Sequence, residues 1–299
     1  MCNQKTINIF LNVIEWKNKT GGKVVKKYNF MLLIFTLLLY SCTSINYSVD
    51  SKSYKATGKN SRVRFIVLHY TATNDEIGLK TLTTQQVSAH YLVTSKDSDP
   101  VYNLVPENER AWHAGFSGFR GRNNINDSSI GIEITNIGVD NYADETKEYG
   151  FFIPYDKYVP YSEGQIKKIA HLLKDILKRY KIDPTNIVGH SDIAPLRKID
   201  PGAKFPWKRL YEEYGIGAWY NEKDKEFYMN ERLYSATPIS QIKSEFRRYG
   251  YDINSTNEWD EESRRVVYAF QMHFNPQNAT GYLDLETFAI LKALNKKYR

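Results

Sequence analysis

Three side chains that bind metal ions well stand where an apolar run ends or a glycine turn begins. His69 closes an apolar run that starts at Val63, His190 follows a glycine, and Asp200 comes ten residues after His190. Two histidines and one carboxylate, with a fourth position open for water, form the ligand set of a catalytic zinc site. Histidines are common in loops, and no metal motif requires these separations, so the spacing alone leaves a purely structural role open.

The residues around these side chains form a series of short motifs. Five of them, in order along the chain, are 67–72 (VLHYTA), 88–91 (SAHY), 112–115 (WHAG), 126–133 (NDSSIGIE) and 189–202 (GHSDIAPLRKIDPG). Together they resemble the zinc-dependent N-acetylmuramoyl-L-alanine amidases, a family related to the peptidoglycan recognition proteins. The motifs 205–207 (FPW) and 215–219 (GIGAW) resemble the end of the same catalytic domain, so the resemblance covers about residues 62–220.

Carried over by position, the resemblance makes His69, His190 and Asp200 the ligands of a Zn²⁺ ion, with Glu133 and Lys198 as the catalytic pair. The implied reaction is hydrolysis of the amide between N-acetylmuramic acid, or its anhydro form, and L-alanine of the peptidoglycan stem peptide. Glu133 would take a proton from the zinc-bound water and pass it to the departing amine, and Lys198 would stabilise the oxyanion. Without the resemblance, a solvated strand residue and a surface lysine would be the simpler interpretation of the pair.

Two other functions share these motifs. A related fold could bind peptidoglycan without cutting it, but such proteins typically lack a metal ligand, and all three are present here. A zinc peptidase that cuts within the stem peptide would have the same metal site, and only its products would differ.

A second group of residues is predicted to contact the substrate. Its members are Tyr70, His90, Trp112, His113 and Asn126. His113, beside Trp112, suits a cleft, whereas a buried, hydrogen-bonding role suits His90 better than a substrate contact. The asparagine-rich stretch 123–126 could touch the muramyl sugar or the stem peptide, or it could be a plain surface loop. His171 and His273 are predicted to be structural.

The strands that must position these residues follow from hydrophobic periodicity. Residues 63–68 form an apolar run typical of a strand that is buried on both faces. In residues 129–135, isoleucines alternate with Gly131, Glu133 and Thr135, which predicts a strand with Glu133 on its polar face. Shorter strands are predicted at 89–94, 101–105 and 186–189.

The longest predicted helix covers residues 163–180. Ser162 and Gln165 form a capping-box pair before it, and apolar residues then recur every three or four positions. A short helix is also predicted around residues 81–88. Strands followed by helices in this order indicate an α/β fold, with a mixed central sheet flanked by helices.

The last part of the chain, 237–299, predicts a small all-α domain of three helices. Tyr249 ends the first helix before Gly250, and Asp260 and Asp284 are placed to cap the other two. Three segments, 248–251 (RYGY), 263–271 (SRRVVYAFQ) and 280–287 (TGYLDLET), resemble the peptidoglycan-binding domain attached to many wall hydrolases. The usual acidic-glycine turn is replaced by residues 254–259, so a role as a packing appendage stays open. Residues 221–236 are predicted to be the linker.

The N-terminal segment predicts export. Lys26 and Lys27 precede an apolar run, 30–40, that is too short to span a bilayer as a helix, and Ser41 and Cys42 follow it. This pattern resembles a lipoprotein signal peptide, 1–41, with Cys42 as the lipidated residue. A plain signal peptide with an incidental cysteine is the alternative. Residues 42–60 would then be a tether, and we expect a protein anchored by lipid to the cell envelope, at the outer membrane and facing the periplasm.

The charge balance bears on possible partners. Six lysines and one glutamate lie in residues 1–41, so this segment carries +5 of the formal net charge of +7 and leaves +2 for the rest. A nucleic acid is therefore not an expected partner. Because Cys2 and Cys42 are the only cysteines, a metal site in the folded part would use histidine and carboxylate ligands. We expect a monomer that acts on peptidoglycan or muropeptides at a membrane.

Overall fold

The computed structural model describes residues 47–299 and contains a five-stranded mixed sheet. Its strands are β1 (Phe65–Tyr70), β2 (Tyr91–Val93), β3 (Tyr102–Asn103), β6 (Ser129–Ile134) and β7 (Ile187–Gly189), in the order β3-β2-β6-β1-β7. Strand β1 is an interior strand that pairs in parallel with β6 on one side and β7 on the other. Because β1 lies between two strands and is covered on both faces, its residues are apolar without alternation, as predicted. The α/β fold class is confirmed.

The remaining strands are short. β2 (Tyr91–Val93) runs parallel to β6 and pairs antiparallel with the edge strand β3 (Tyr102–Asn103). A separate two-stranded hairpin contains β4 (Gly118–Phe119) and β5 (Arg122–Asn123). The strands predicted at 89–94 and 101–105 therefore exist, although their paired parts are only three and two residues long.

The helix predicted around residues 81–88 lies earlier in the chain. Helix α1 covers Asp75–Thr84, because the Asn74 side chain accepts a hydrogen bond from the Ile77 amide and caps the first turn. The sequence analysis missed this cap.

The main helix matches the prediction closely. Two helices follow β6 in the chain: α2 (Tyr142–Tyr149), then α3 (Glu163–Arg179). Ser162 and Gln165 form both hydrogen bonds of the capping box that precedes α3. The apolar face of α3, which includes Ile169 and Leu173, lies in the hydrophobic core. A single turn of helix, α4 (His190–Ile193), follows β7 directly, and α5 is Trp207–Tyr214.

Five helices make up the C-terminal part. They are α6 (Glu222–Tyr228), α7 (Glu231–Ala236), α8 (Ile239–Tyr249), α9 (Glu261–Phe274) and α10 (Leu285–Tyr298). Asp260 and Asp284 cap α9 and α10 through bonds from the third residue after each cap, as predicted. The segment predicted as a linker, 221–236, consists largely of α6 and α7.

The sheet and the C-terminal helices share one hydrophobic core. Residues 60–299 form one compact unit, and buried side chains of β1, α3, α9 and α10 belong to the same apolar cluster. Residues 47–59 are exposed and contain neither helix nor strand. The predicted signal peptide and Cys42 lie outside the described residues. Within 47–299, no helix combines the length and the apolar character needed to cross a membrane.

Candidate active site

Three neighbouring strands bring the predicted site residues to one edge of the sheet. In the parallel register of β1 and β6, His69 lies directly beside Glu133. On the other side, Leu68 lies beside Gly189, and His190 follows at the end of β7. In open α/β sheets, the carboxyl ends of parallel strands are the usual place for ligand binding.

The three predicted metal ligands converge on one point. Nδ1 of His69 lies 3.0 Å from Nδ1 of His190 and 3.0 Å from Oδ2 of Asp200. Nδ1 of His190 lies 3.1 Å from Oδ2 of Asp200. A tetrahedral ion with bonds of about 2.0–2.1 Å would separate its ligand atoms by about 3.3 Å. Two imidazole nitrogens and a carboxylate oxygen, all buried and facing each other, therefore fit a bound metal ion.

The outer nitrogens of both histidines are also held. Nε2 of His69 lies 3.0 Å from Nδ1 of His113, and Nε2 of His113 lies 3.0 Å from the Ser129 hydroxyl. Nε2 of His190 lies 3.1 Å from the Ala114 carbonyl oxygen. Such partners fix the tautomer and the ring orientation of a ligating histidine. His113, predicted to contact substrate, thus lies behind His69 as well as in the pocket.

Gly131 makes room for this arrangement. A Cβ atom at this position would lie 2.3 Å from Cγ of the His113 ring. Only glycine lets the β6 backbone approach the imidazole so closely, so the glycine in the motif 126–133 has a steric reason.

The charge states of the site suit a cation. Burial, together with the neighbouring His190, lowers the pKa of His69 to about 4. Burial also lowers the pKa of His113 well below its usual value. For Asp200, burial raises the pKa, but the two adjacent histidines outweigh it and the net shift is downward. At neutral pH the site therefore offers a neutral imidazole at His69 and an ionised carboxylate at Asp200, the forms that bind metals.

Glu133 differs from these residues because it is poorly solvated and poorly paired. Its Oε2 atom is inaccessible to solvent and has no hydrogen-bond partner among the described residues. Burial, and then the negative charge of Asp200, raise its pKa well above the usual value, while Lys198 opposes the shift. Both Glu133 and Lys198 line the same pocket as the three ligands. A carboxyl group with a raised pKa beside a metal site can accept and return a proton.

The pocket has a volume of about 270 Å³ and opens at an aromatic rim. Trp112 is 55% exposed there, which leaves its ring free to pack against a ligand. Tyr70 forms part of the wall, and its ring lies 2.4 Å from where a Cβ of Gly138 would be. The structure thus brings Tyr70, Trp112 and His113, which are predicted to contact the substrate, to the pocket.

Two predicted substrate contacts need correction. His90 is 0% exposed and does not line the pocket. Its Nδ1 accepts a hydrogen bond from the Gly131 amide, so it supports β6. Asn126 is also buried, and its Oδ1 accepts bonds from the amides of His113 and Ala114. Both side chains point into the protein and hold the segments that carry the site, a direction that their motifs do not reveal.

The sequence analysis missed Arg197 as part of the site. Its guanidinium donates to the carbonyl oxygens of Ala114 and Phe116 and lies 3.4 Å from Nε2 of His190. It therefore links the motif 189–202 to the motif 112–115. Its position next to Lys198 was the available indication. His171 is exposed on α3, and His273 is buried in α9.

Comparison with known families matches both parts of the chain. The model described as N-acetylmuramoyl-L-alanine amidase matches residues 59–203, and the one described as a putative peptidoglycan binding domain matches residues 235–291. N-acetylmuramoyl-L-alanine amidase AmiD of Escherichia coli K12 is 40% identical over 282 residues, which cover 90% of this chain and 98% of that protein.

Two solved structures with bound ligands are similar over most of the chain. One is E. coli AmiD in complex with the substrate anhydro-N-acetylmuramic acid-L-Ala-D-γ-Glu-L-Lys (TM-score 0.73, 39% identity, covering 85% of this chain and 96% of that one). The other is AmpDh3 of Pseudomonas aeruginosa in complex with anhydromuramic pentapeptide (TM-score 0.74, 42% identity, covering 85% and 99%).

Proposed function

The chain belongs to the N-acetylmuramoyl-L-alanine amidase family and hydrolyses the amide between the muramyl sugar and L-alanine, and we propose that it does so as a zinc enzyme. The convergence of His69, His190 and Asp200 within 3.1 Å, in a pocket that also holds Glu133 and Lys198, carries this proposal. Zinc is the ion that this set of two histidines and one carboxylate favours in hydrolases.

We propose specific roles for the two remaining polar residues of the pocket. When bound, zinc would lower the pKa of its water to about 7 and polarise the scissile carbonyl. Glu133 would accept the proton of that water and transfer it to the departing amine, a role that suits its raised pKa. Lys198 would stabilise the negative charge that develops on the carbonyl oxygen. Trp112 and Tyr70 would bind the substrate at the rim and the wall.

The natural substrate is proposed to be a muropeptide with an anhydromuramyl end. This follows from the two similar structures, whose ligands are both anhydromuramyl peptides. A pocket of about 270 Å³ admits only part of such a ligand, so the sugar or the distal stem would extend over the exposed rim at Trp112.

Mass spectrometry of the products tests the proposal directly. Purified anhydromuropeptides would be incubated with the protein, with the protein plus a zinc chelator, and with the chelated protein after zinc is restored. We expect free stem peptide that begins with L-alanine, lost on chelation and regained with zinc. Shortened stems that still carry the sugar would identify a peptidase instead, and activity that survives chelation would contradict the metal requirement.

We further propose that the protein is exported and anchored by lipid at Cys42, as a monomer facing the periplasm from the outer membrane. The basic and apolar residues before Cys42 support the anchor, and the exposed segment 47–59 would serve as part of a tether. A Cys42→Ala variant should move from the membrane to the soluble fraction on cell fractionation. Retention in the membrane would argue against the lipid anchor.

A further inference from the structure

A second buried carboxylate lies two residues after the ligand His190 and plays no part in the proposed reaction. Asp192 is only 1% exposed. Its oxygens accept hydrogen bonds from the Gly189 amide at 2.7 Å, the Tyr251 hydroxyl at 2.5 Å and Nδ1 of His273 at 2.7 Å. A buried carboxylate is costly unless it is paired in this way, so these donors determine where it can sit.

The bond to Gly189 shapes the turn that carries the metal ligands. Asp192 is the third residue of α4 and bonds back to the amide just before the helix, which fixes the first turn with His190 as its first residue. The next amide, of Ser191, donates to the Asp200 carbonyl oxygen at 2.8 Å. The same short turn therefore sets the backbone positions of both His190 and Asp200.

The other two donors come from the C-terminal part of the chain. Tyr251 follows α8, and its ring packs edge-on against Phe119 and Phe270 at 5.4 Å and 5.8 Å. His273 lies in α9, stacked between the rings of Trp207 and Phe274 at 3.9 Å and 4.0 Å. These side chains are held firmly by aromatic neighbours, so they present their donors to Asp192 at fixed positions.

We propose that the C-terminal helical part is a positioning element of the metal site, with Tyr251 and His273 acting through Asp192 to hold the His190 turn. The role rests on the proposed function of His190 as a metal ligand, and it is separate from any affinity of this part for the wall. A third contact supports it: Arg265 of α9 donates to the Leu196 carbonyl oxygen at 2.7 Å, within the same loop between the two ligands.

The test removes the two donors and keeps the rings. Tyr251→Phe deletes one hydroxyl, and His273→Phe keeps an aromatic ring between Trp207 and Phe274. Partners behind metal ligands are typically worth 10–100-fold in metal affinity. We expect the double variant of the full chain to bind zinc roughly 10–100-fold more weakly in competition with a chelator. Its kcat should fall with little change in KM. A His273→Asn variant, whose amide can place an N–H near the lost Nδ1 donor, should recover much of the affinity.

Tyr268→Phe is the matched control. The Tyr268 hydroxyl is equally buried and also joins α9 to the catalytic part, through the Ile153 carbonyl oxygen at 2.6 Å and the Tyr158 hydroxyl at 2.8 Å, but it does not touch Asp192. This variant should lose thermal stability yet keep the zinc affinity of the wild type. If Tyr268→Phe lost as much zinc affinity as the double variant, the effect would be one of general packing and the proposal would be overturned. Unchanged zinc affinity in the double variant would overturn it as well.

Folding and function are kept apart by two further measurements. If the double variant does not fold, Tyr251→Phe alone decides: faster amide exchange in residues 189–200 than in the Tyr268→Phe control supports the proposal, and equal exchange overturns it. Zinc affinity and exchange need no turnover. A wild-type protein that binds zinc without cutting muropeptides would therefore refute the proposed function while leaving this test valid.

Discussion

Two carboxylates beside the metal site, Asp192 and Glu133, have opposite hydrogen-bonding environments. Asp192 has three donors and lies in a closed polar cluster, whereas Glu133 has an oxygen without a partner and lies against Asp200, which carries the same charge. Hydrogen-bond donors stabilise the ionised form of a carboxylate and fix its position. A carboxylate without such donors binds a proton more readily. Comparing the Asp192 cluster with the Glu133 pocket thus separates groups that hold the site from groups that react in it.

The largest expected effect is on turnover when Glu133 is changed. Glu133→Gln keeps the shape of the side chain but removes its ability to carry a proton. Because a positioned general base contributes roughly 10²–10⁴-fold, kcat should fall by that factor while the bound zinc, measured by metal analysis, is retained. Glu76→Gln, an exposed carboxylate on α1, is the control and should be unaffected. A near-normal kcat in Glu133→Gln would refute the assigned role.

Asp192→Ala should mainly affect stability. It leaves the Gly189 amide, the Tyr251 hydroxyl and the His273 ring without their common acceptor. A buried donor left without its acceptor typically costs about 1–3 kcal/mol, so the free energy of unfolding in urea should fall by at least about that amount. Glu133→Ala, measured in the metal-free protein, should show no comparable loss. If the two losses were equal, the contrast between the two carboxylates would fail.

Sequence alone predicted more of the Glu133 pocket than of the Asp192 cluster, and the reason is geometric. Strand alternation placed Glu133 on the polar face of β6, and the resemblance of the short motifs to the amidase family supplied the ligands. Each of these patterns spans only a few residues. The partners of Asp192, at positions 251 and 273, are distant in sequence and meet it only through packing of α9 on the catalytic part. No local periodicity reports such a contact.

The direction of a side chain was harder to predict than the position of its motif, above all for Asn126. His90 and Asn126 belong to the same motifs as true pocket residues, but each turns inward to satisfy backbone amides. A buried backbone amide needs a hydrogen-bond acceptor, and only the folded structure shows which amides are buried. The capping box of α3 and the caps of α9 and α10 could be predicted, because donor and acceptor are three residues apart, although the Asn74 cap of α1 was missed.

A smaller effect should follow from crowding the partner behind His69. In Gly131→Ala, the new Cβ would lie 2.3 Å from the His113 ring and force it away from His69. Zinc affinity should fall by roughly tenfold or more, measured by chelator competition, because His113 no longer orients the ligand. Gly118→Ala is the control, since Gly118 does not line this pocket and its Cβ would lie 3.3 Å from Oδ1 of Asn123. Unchanged zinc affinity in Gly131→Ala would show that His113 does not position His69.

The smallest expected effect is on the melting temperature of the metal-free Glu133→Gln protein, which should exceed that of the wild type at neutral pH. Its pKa is raised in the folded, metal-free protein, chiefly by burial. The unfolded chain ionises this carboxyl near pH 4.3, so wild-type stability is lost as the pH rises above that value toward the folded pKa. Glutamine does not titrate. The metal-free Glu133→Gln protein should therefore melt at the wild-type temperature near pH 4 and at a progressively higher temperature toward pH 7.

Zinc and the second carboxylate provide the controls for this melting experiment. A bound cation favours the ionised form of Glu133, so saturating zinc should abolish the advantage of the glutamine variant. Asp192→Asn, by contrast, should melt below the wild type at neutral pH, because it weakens a satisfied cluster. A Glu133→Gln difference that does not depend on pH would mean that the carboxyl is solvated in the folded protein. In that case Glu133 would lack the raised pKa that suits it to proton transfer, and the contrast with Asp192 would not hold.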